Sequence, residues 1–137
     1  MRASRVRKLL GVAIEAGKDF LTVQGCNGKF SPGSEVVLDL ENSGTSLRLL
    51  ASAALCSDAP VTLTGSERMQ ERPIGPLADA LIAAGGKVAY LGKKGFPPVR
   101  IEGRFFGGEV PVDGAVSSQF VSSLLITAPY AEQETVV

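Results

Sequence analysis

Three polar segments of the chain carry residue types suited to holding an anion. The first is Asn42-Ser43-Gly44-Thr45, the second runs from Arg68 to Pro73, and the third is Ser117-Ser118-Gln119. Each stands before a stretch with helical character. A serine at a helix start accepts the amide protons that the first turn leaves unpaired. Those amides, with the helix dipole, also make such an end a place for a phosphate or carboxylate. Gly44 would let a ligand come close to the backbone, since no Cβ stands in the way. Arg68 can grip a phosphate or carboxylate with a planar fork of donors. Each feature also has a plain structural meaning: a capped helix, a turn glycine, a solvated arginine. Arg72 sits beside Glu71 and fits an ion-pair cluster. Arg48 lies in an otherwise apolar helix, where it is either a structural partner, of Asp39 or Glu41, or a secondary anion contact; the structural role is favoured. These groups bind anions, and none is a nucleophile. The sequence has no histidine, so catalysis by these residues alone would need Lys, Asp, Glu or Cys.

The elements that must position these residues alternate. Residues 4–16 read as a helix, with Val6, Leu9, Leu10, Ala13 and Ile14 on one face and Gly17 as its C-cap. Residues 20–23 read as a strand, with a turn at Asn27-Gly28 after it. Residues 35–40 form a nearly continuous apolar run and read as a buried strand. Residues 45–55, rich in Leu and Ala, read as a helix buried between layers. A strand over 61–64 follows, then a helix over 74–84 with Pro73 at its start. Strands over 87–91 and 99–102 are joined across Pro97-Pro98, a strand over 109–112 ends at Asp113-Gly114, and a helix over 120–128 follows. Strands alternating with helices give an α/β or α+β class.

The alternation repeats. Moved by 74 positions (43 to 117), Gly33 falls on Gly107, Glu35 on Glu109, Asp39 on Asp113, Ser43 on Ser117, Leu50 on Leu124 and Ala54 on Ala128. Upstream, a shift of 68 (16 to 84) sets Leu9 on Leu77 and Ile14 on Ile82. The chain therefore reads as one partial domain of about two repeats, approximately 1–65 and 66–137, with both ends falling inside a repeat. Equivalent helix starts should then point toward a common region.

Composition narrows the class. The 137 residues suffice for one domain with a real core. Fourteen basic and fourteen acidic residues cancel, and no block of like charge points to nucleic acid or a membrane surface. No apolar run approaches a membrane span. Cys26 and Cys56 match no metal or redox spacing and read as reduced thiols of a cytoplasmic protein.

Taken together, residues 42–48, residues 68–74, Pro97-Pro98, and Ser117-Ser118-Gln119-Phe120 with Ala128-Pro129 resemble 5-enolpyruvylshikimate-3-phosphate synthase. Four motifs occur in that family's order and spacing. The resemblance implies repeated βαβαββ units in an inside-out α/β barrel, here incomplete. It implies transfer of the enolpyruvyl group of phosphoenolpyruvate to the 5-hydroxyl of shikimate 3-phosphate, with no metal or organic cofactor. Carried over, Ser117 and Ser118 would bind the phosphate of shikimate 3-phosphate, and Gln119 would lie against both substrates. Gly44 and Arg68 would bind phosphoenolpyruvate, with Asn42 and Thr45 shaping the turn. The family's inhibitor glyphosate would sit beside Gly44 and Arg68. The family's Lys-Ser and Arg motif, a later serine and tyrosine, and the C-terminal domain with its acid–base residues have no counterpart here. The resemblance thus implies a segment that is inactive alone and partners the rest of such an enzyme. UDP-N-acetylglucosamine enolpyruvyltransferase is the near alternative. A non-catalytic anion-binding module of the same fold is the alternative from another class.

Overall fold

The computed structural model describes residues 10–137. Strands β1 (Ile14–Ala16) and β2 (Leu21–Val23) form an antiparallel hairpin. Then come β3 (Val36–Asp39), helix α1 (Gly44–Ala53), β4 (Val61–Thr64), the short helix α2 (Glu67–Gln70), α3 (Gly75–Ala83), β5 (Gly86–Tyr90) and β6 (Val99–Gly103). The chain continues through β7 (Gly108–Glu109), α4 (Ser118–Thr127) and β8 (Thr135–Val136). The main sheet has the order β3-β4-β6-β5, in which β3 and β4 are parallel and the other neighbours antiparallel. From β3 to β6 the elements follow a βαβαββ order, with α2 as an extra turn. The parallel pair β7 and β8, bridged by α4, repeats the parallel pair β3 and β4, bridged by α1.

The repeat is clearest at the helices. Both α1 and α4 have ten residues, and 44 to 118 and 53 to 127 are each a step of 74. Each helix has a serine N-cap and runs into a single 3-10 turn, Ala54–Cys56 after α1 and Ala128–Tyr130 after α4. The approach is repeated too. The Asp39 carboxylate accepts the Glu41 amide at 2.9 Å, and the Asp113 carboxylate accepts the Ala115 amide at 2.9 Å. Aspartate at these strand ends folds the turn that sets up the cap.

The sheet buries one face. Val36 and Leu38 of β3, Val61 and Leu63 of β4, and Val99 and Ile101 of β6 are buried under the helices. They meet Leu47 and Ala51 of α1, Leu77 and Leu81 of α3, and Phe120 and Leu124 of α4 in one core. Full burial of a side chain such as Phe120 or Leu124 contributes roughly 1.5–3 kcal/mol relative to exposure. On the other face Arg100 bonds Glu35 at 3.0 Å and Glu102 at 2.8 Å.

Several expected elements differ. Residues 4–9 of the expected N-terminal helix lie outside the described residues. Its end is not helical, since Ile14–Ala16 is β1, and Gly17 makes a hairpin turn, donating to the Phe20 carbonyl at 2.9 Å, instead of capping a helix. Leu10 and Ile14 fit a helix face at a spacing of four, yet Leu10, Val12 and Ile14 also alternate inward as in a strand. Gly11, at φ 76 and too close to the Ser31 carbonyl for any Cβ, breaks a helix at that point. The shift of 68 fails with it, because Ile14 is in a strand and Ile82 in α3. A shift of 74 sets Ile14 on Val88 in β5 instead.

Strand β3 is buried on one side only, with Val37 58% exposed, because among the described residues no layer covers the outer face. Pro76, not Pro73, occupies the first turn of α3, where the preceding Ile74 amide is committed to the Gly95 carbonyl at 2.9 Å. The strand expected over 109–112 is short. After the Val110 amide donates to Val136 at 2.8 Å, Pro111 has no amide to continue the ladder.

Candidate functional site

Helices α1 and α4 lie side by side and run in the same direction. Thr45 meets Gln119, Arg48 meets Gln119 and Phe120, and Ser52 meets Ser123. The order ascends along both helices, so their N-termini share one end. Small polar residues permit the close approach. The Ser123 hydroxyl donates to the Arg48 carbonyl at 2.6 Å and is hydrogen-bonded to the Ser52 hydroxyl at 2.6 Å.

Two aligned N-termini put two partial positive charges, each of about half an elementary charge, at one place. Neither helix has an acidic residue in its first turn to offset them. The caps are neutral. The Ser43 hydroxyl accepts the Ser46 amide at 3.4 Å and bonds the Ser46 hydroxyl at 2.7 Å. The Ser117 hydroxyl accepts the Gln119 amide at 3.3 Å, which leaves its own proton free to donate. Ser118 is exposed as the first residue of α4, so this helix starts two residues before the expected 120. The chemistry of the arrangement suits an anion.

Gln119 joins the two starts. Its carbonyl oxygen accepts from Arg48 Nη1 at 2.7 Å, and its amide nitrogen donates to Thr45 Oγ1 at 3.0 Å. The partner of Arg48 is thus Gln119, not Asp39 or Glu41, and its guanidinium also lies 5.5 Å from the centre of the Phe120 ring. Arg48 is structural, as expected, but it serves the helix pair and not the turn before α1. The signal was present in the repeat, since 45 and 119 are equivalent positions 74 apart.

The segment carrying Arg68 docks on the turn before α1. The Ser66 amide donates to the Glu41 carbonyl at 2.8 Å, and the Ser66 hydroxyl caps α2 by accepting the Met69 amide at 3.3 Å. Arg68 therefore sits in its own short helix, exposed, with no hydrogen bond or ion pair among the described residues. Arg72 forms no ion pair with Glu71; its guanidinium lies against Gly44 instead. An ideal Cβ on Gly44 would stand 2.5 Å from Arg72 Nη1. Gly44 is buried, and its lack of a side chain is what admits the arginine.

The structure thus joins Thr45 to Gln119 by a direct bond, with Gly44 and Ser117 beside them in sequence at the two helix starts. Asn42 is exposed, and among the described residues neither Asn42 nor Arg68 has a side-chain hydrogen bond to the others. Arg72, expected in an ion-pair cluster with Glu71, is the residue that stands at the α1 start instead. A cavity of about 550 Å³ opens at the other end of the helices, lined in part by Phe30, Cys56, Arg104 and Tyr130, away from all of these groups. Burial, and then the nearby Cys26, push the Cys56 thiol up from its ordinary value. Among the described residues no cluster of three His, Cys, Asp or Glu side chains could hold a metal ion, and no helix is long and apolar enough to cross a membrane.

A sequence profile of EPSP synthase (3-phosphoshikimate 1-carboxyvinyltransferase) matches residues 3–137. The 3-phosphoshikimate 1-carboxyvinyltransferase of Methanoculleus marisnigri is 56% identical over 131 residues, covering 96% of this chain and 31% of the relative. That of Pectobacterium carotovorum is 46% identical over 128 residues, covering 92% and 30%. The solved EPSP synthase of Acinetobacter baumannii superposes with a TM-score of 0.78 at 31% identity, over 96% of this chain and 30% of that one. The chain spans about 31% of the length of the first of these relatives.

Proposed function

The chain belongs to the EPSP synthase family, and from that premise we propose that it is the anion-binding segment of an enolpyruvyl transferase. In the proposed reaction the 5-hydroxyl oxygen of shikimate 3-phosphate bonds to the enolpyruvyl carbon of phosphoenolpyruvate. The hydroxyl O–H bond and the bond from that carbon to the phosphate oxygen break, and the proton and inorganic phosphate leave. The observation that carries the reading is the pair of parallel helices whose starts present serine, glycine and amide groups with no acidic neighbour in the first turn.

In this reading Ser117 and Ser118 hold the phosphate of shikimate 3-phosphate, and Gln119 contacts both substrates. Gly44 and Arg68 hold phosphoenolpyruvate, with Asn42 and Thr45 shaping the turn. Both substrates are anions. Fixed hydroxyls, amides and arginines meet them without the repulsion of a carboxylate. The same residues offer no general base and no nucleophile. Acid–base chemistry therefore belongs to the remaining length of the relatives, the proposed partner of this segment, and the 137-residue chain alone turns over no substrate. The setting is the cytoplasm, with small-molecule ligands, no nucleic acid and no membrane.

Calorimetric titration of shikimate 3-phosphate into the chain tests the reading. Saturable binding is expected, weakened about tenfold or more in Ser117→Ala/Ser118→Ala, the loss of two hydrogen bonds to a charged group. Equal affinity in the double variant, or turnover by the purified chain alone, refutes it.

A further inference from the structure

A glutamine amide can be turned either way, and in the two orientations it offers opposite groups to a ligand. The surroundings of Gln119 permit one orientation. A guanidinium only donates, so the group 2.7 Å from Arg48 Nη1 must be the carbonyl oxygen. The nitrogen then faces Thr45 Oγ1 at 3.0 Å. After both bonds, one amide N–H and one carbonyl lone pair remain unspent. They stand between the start of α1 and the start of α4.

Arg48 is itself held. Its guanidinium lies 5.5 Å from the centre of the Phe120 ring, and its backbone carbonyl accepts from Ser123 at 2.6 Å. Phe120 is fully buried, so this support is rigid. The Arg48 fork is thus fixed by core packing on α4 while it belongs to α1.

We infer that Arg48 and Thr45 are positioning residues that lock the Gln119 amide in one orientation, so that it offers its free N–H and free lone pair to ligands at both helix starts. The ligand half of this statement rests on the proposed reading of Gln119 as a substrate contact; the locking half does not. The lock also ties the phosphate site at α4 to the carboxylate or phosphate site at α1. A ligand that draws on Gln119 at one start meets an amide already oriented for the other, with no rotamer entropy left to lose.

The test uses the ¹⁵N-labelled 137-residue chain and two pairs of variants. Arg48→Met keeps the side-chain stem over Phe120 and removes every N–H; Arg48→Lys restores one donor. Thr45→Val is close in shape and removes the hydroxyl; Thr45→Ser keeps it. The first readout is the side-chain NH₂ pair of Gln119, assigned with Gln119→Glu, followed by shift and by exchange with solvent. It needs no ligand, and backbone amide resonances in the same spectra report the fold. The lock predicts a slow, displaced pair in wild type, and shifts near those of free glutamine with at least about fivefold faster exchange in Arg48→Met and Thr45→Val, the loss of one hydrogen bond. Thr45→Ser and Arg48→Lys recover most of the wild-type signal. The second readout is calorimetry with shikimate 3-phosphate and with inorganic phosphate. Arg48→Met should weaken shikimate 3-phosphate by about three- to tenfold and leave inorganic phosphate unchanged, since Ser117 and Ser118 are intact.

An NH₂ pair unmoved by Arg48→Met overturns the inference, as does an equal loss for inorganic phosphate, which would mean the helix start itself had shifted. A pair that responds as expected in a chain binding neither ligand supports the lock and refutes the substrate reading alone.

Discussion

Gly44→Ala separates the demands of the fold from those of the ligand. Gly44 is the first residue of α1, and its φ is not among the positive values, so alanine fits the backbone. Helix propensity favours alanine over glycine by up to about 1 kcal/mol in a helix interior and by less at an end. The new methyl would stand 2.5 Å from Arg72 Nη1 and 3.4 Å and 3.5 Å from Cδ and Cζ of the same side chain. An ordinary contact needs about 3.5 Å or more, so the guanidinium tip must retreat by about 1 Å. A long, partly exposed side chain does this cheaply. Urea unfolding should therefore show stability unchanged within about 1 kcal/mol. Binding at the α1 start should suffer, because the methyl closes the approach to the backbone and Arg72 has left its place. Loss of one hydrogen bond to a charged group is worth about 1.5–3 kcal/mol, or about ten- to a hundredfold in Kd for phosphoenolpyruvate. Arg72→Ala alone and combined with Gly44→Ala completes a double-mutant cycle. If displacement of Arg72 is the cause, the two effects overlap and the double variant is little worse than either single one. Additivity within about 0.5 kcal/mol refutes that route. A drop in stability above about 2 kcal/mol refutes the view that only a flexible side chain stands in the way.

Three further outcomes are expected. Ser117→Asp keeps a cap of equal strength, so stability should hold within about 0.5 kcal/mol; its charge beside a bound phosphate costs about 1–3 kcal/mol, so Kd for shikimate 3-phosphate should rise at least about fivefold, and unchanged affinity would move the phosphate elsewhere. The candidate site contains no carboxylate, histidine or thiol, so binding of a phosphate monoester should strengthen through the ligand's own second ionisation near pH 6, about as expected for a dianion over a monoanion, and stay level from pH 7.5 to 9; calorimetry showing a decline in that upper range would demand a titrating protein group. The raised value of the Cys56 thiol means less thiolate at a given pH, so alkylation of Cys56 in a Cys26→Ser chain should be slower at pH 8 than for a free thiol and still rising at pH 9; full reactivity at pH 8 would show that burial does not govern it.

The parts legible in the sequence are those that local chemistry decides. Serine before a run of Leu, Ala and Phe gives a capped helix wherever it stands, and the step of 74 from Ser43 to Ser117 marks both helix starts. The parts that were not legible depend on partners far along the chain. Leu10, Ala13 and Ile14 satisfy a helical spacing while Leu10, Val12 and Ile14 satisfy a strand, and only the pairing of Ile14 with Val23 and the close approach of Gly11 to Ser31 decide for the strand. Arg48 was visible as a polar residue in an apolar helix, yet its partner is 71 positions away. Arg72 looked like half of an ion pair with its neighbour Glu71. Glu71 is the C-cap of α2 and Arg72 lies just beyond it, and the Arg72 side chain instead fills the space that Gly44 leaves.

The alignment of α1 and α4 has a cost that explains the chemistry of their starts. Parallel neighbours set like partial charges side by side, a repulsion that an antiparallel pair avoids. Aspartate at the caps would relieve it while capping as well as serine does. The chain instead has Ser43 and Ser117 at the caps and no acid in either first turn. The available aspartates, Asp39 and Asp113, lie four residues before the caps, with a carboxylate oxygen spent on a turn amide at 2.9 Å in each case. On the proposed reading, that positive field is met by a charge from outside. The cohesion that the dipoles oppose comes from the Ser52–Ser123 contact, the shared core of Leu47, Phe120 and Leu124, and the Arg48–Gln119–Thr45 bridge. A bound anion would remove the repulsion, so ligand binding and the pairing of the two helices should strengthen each other.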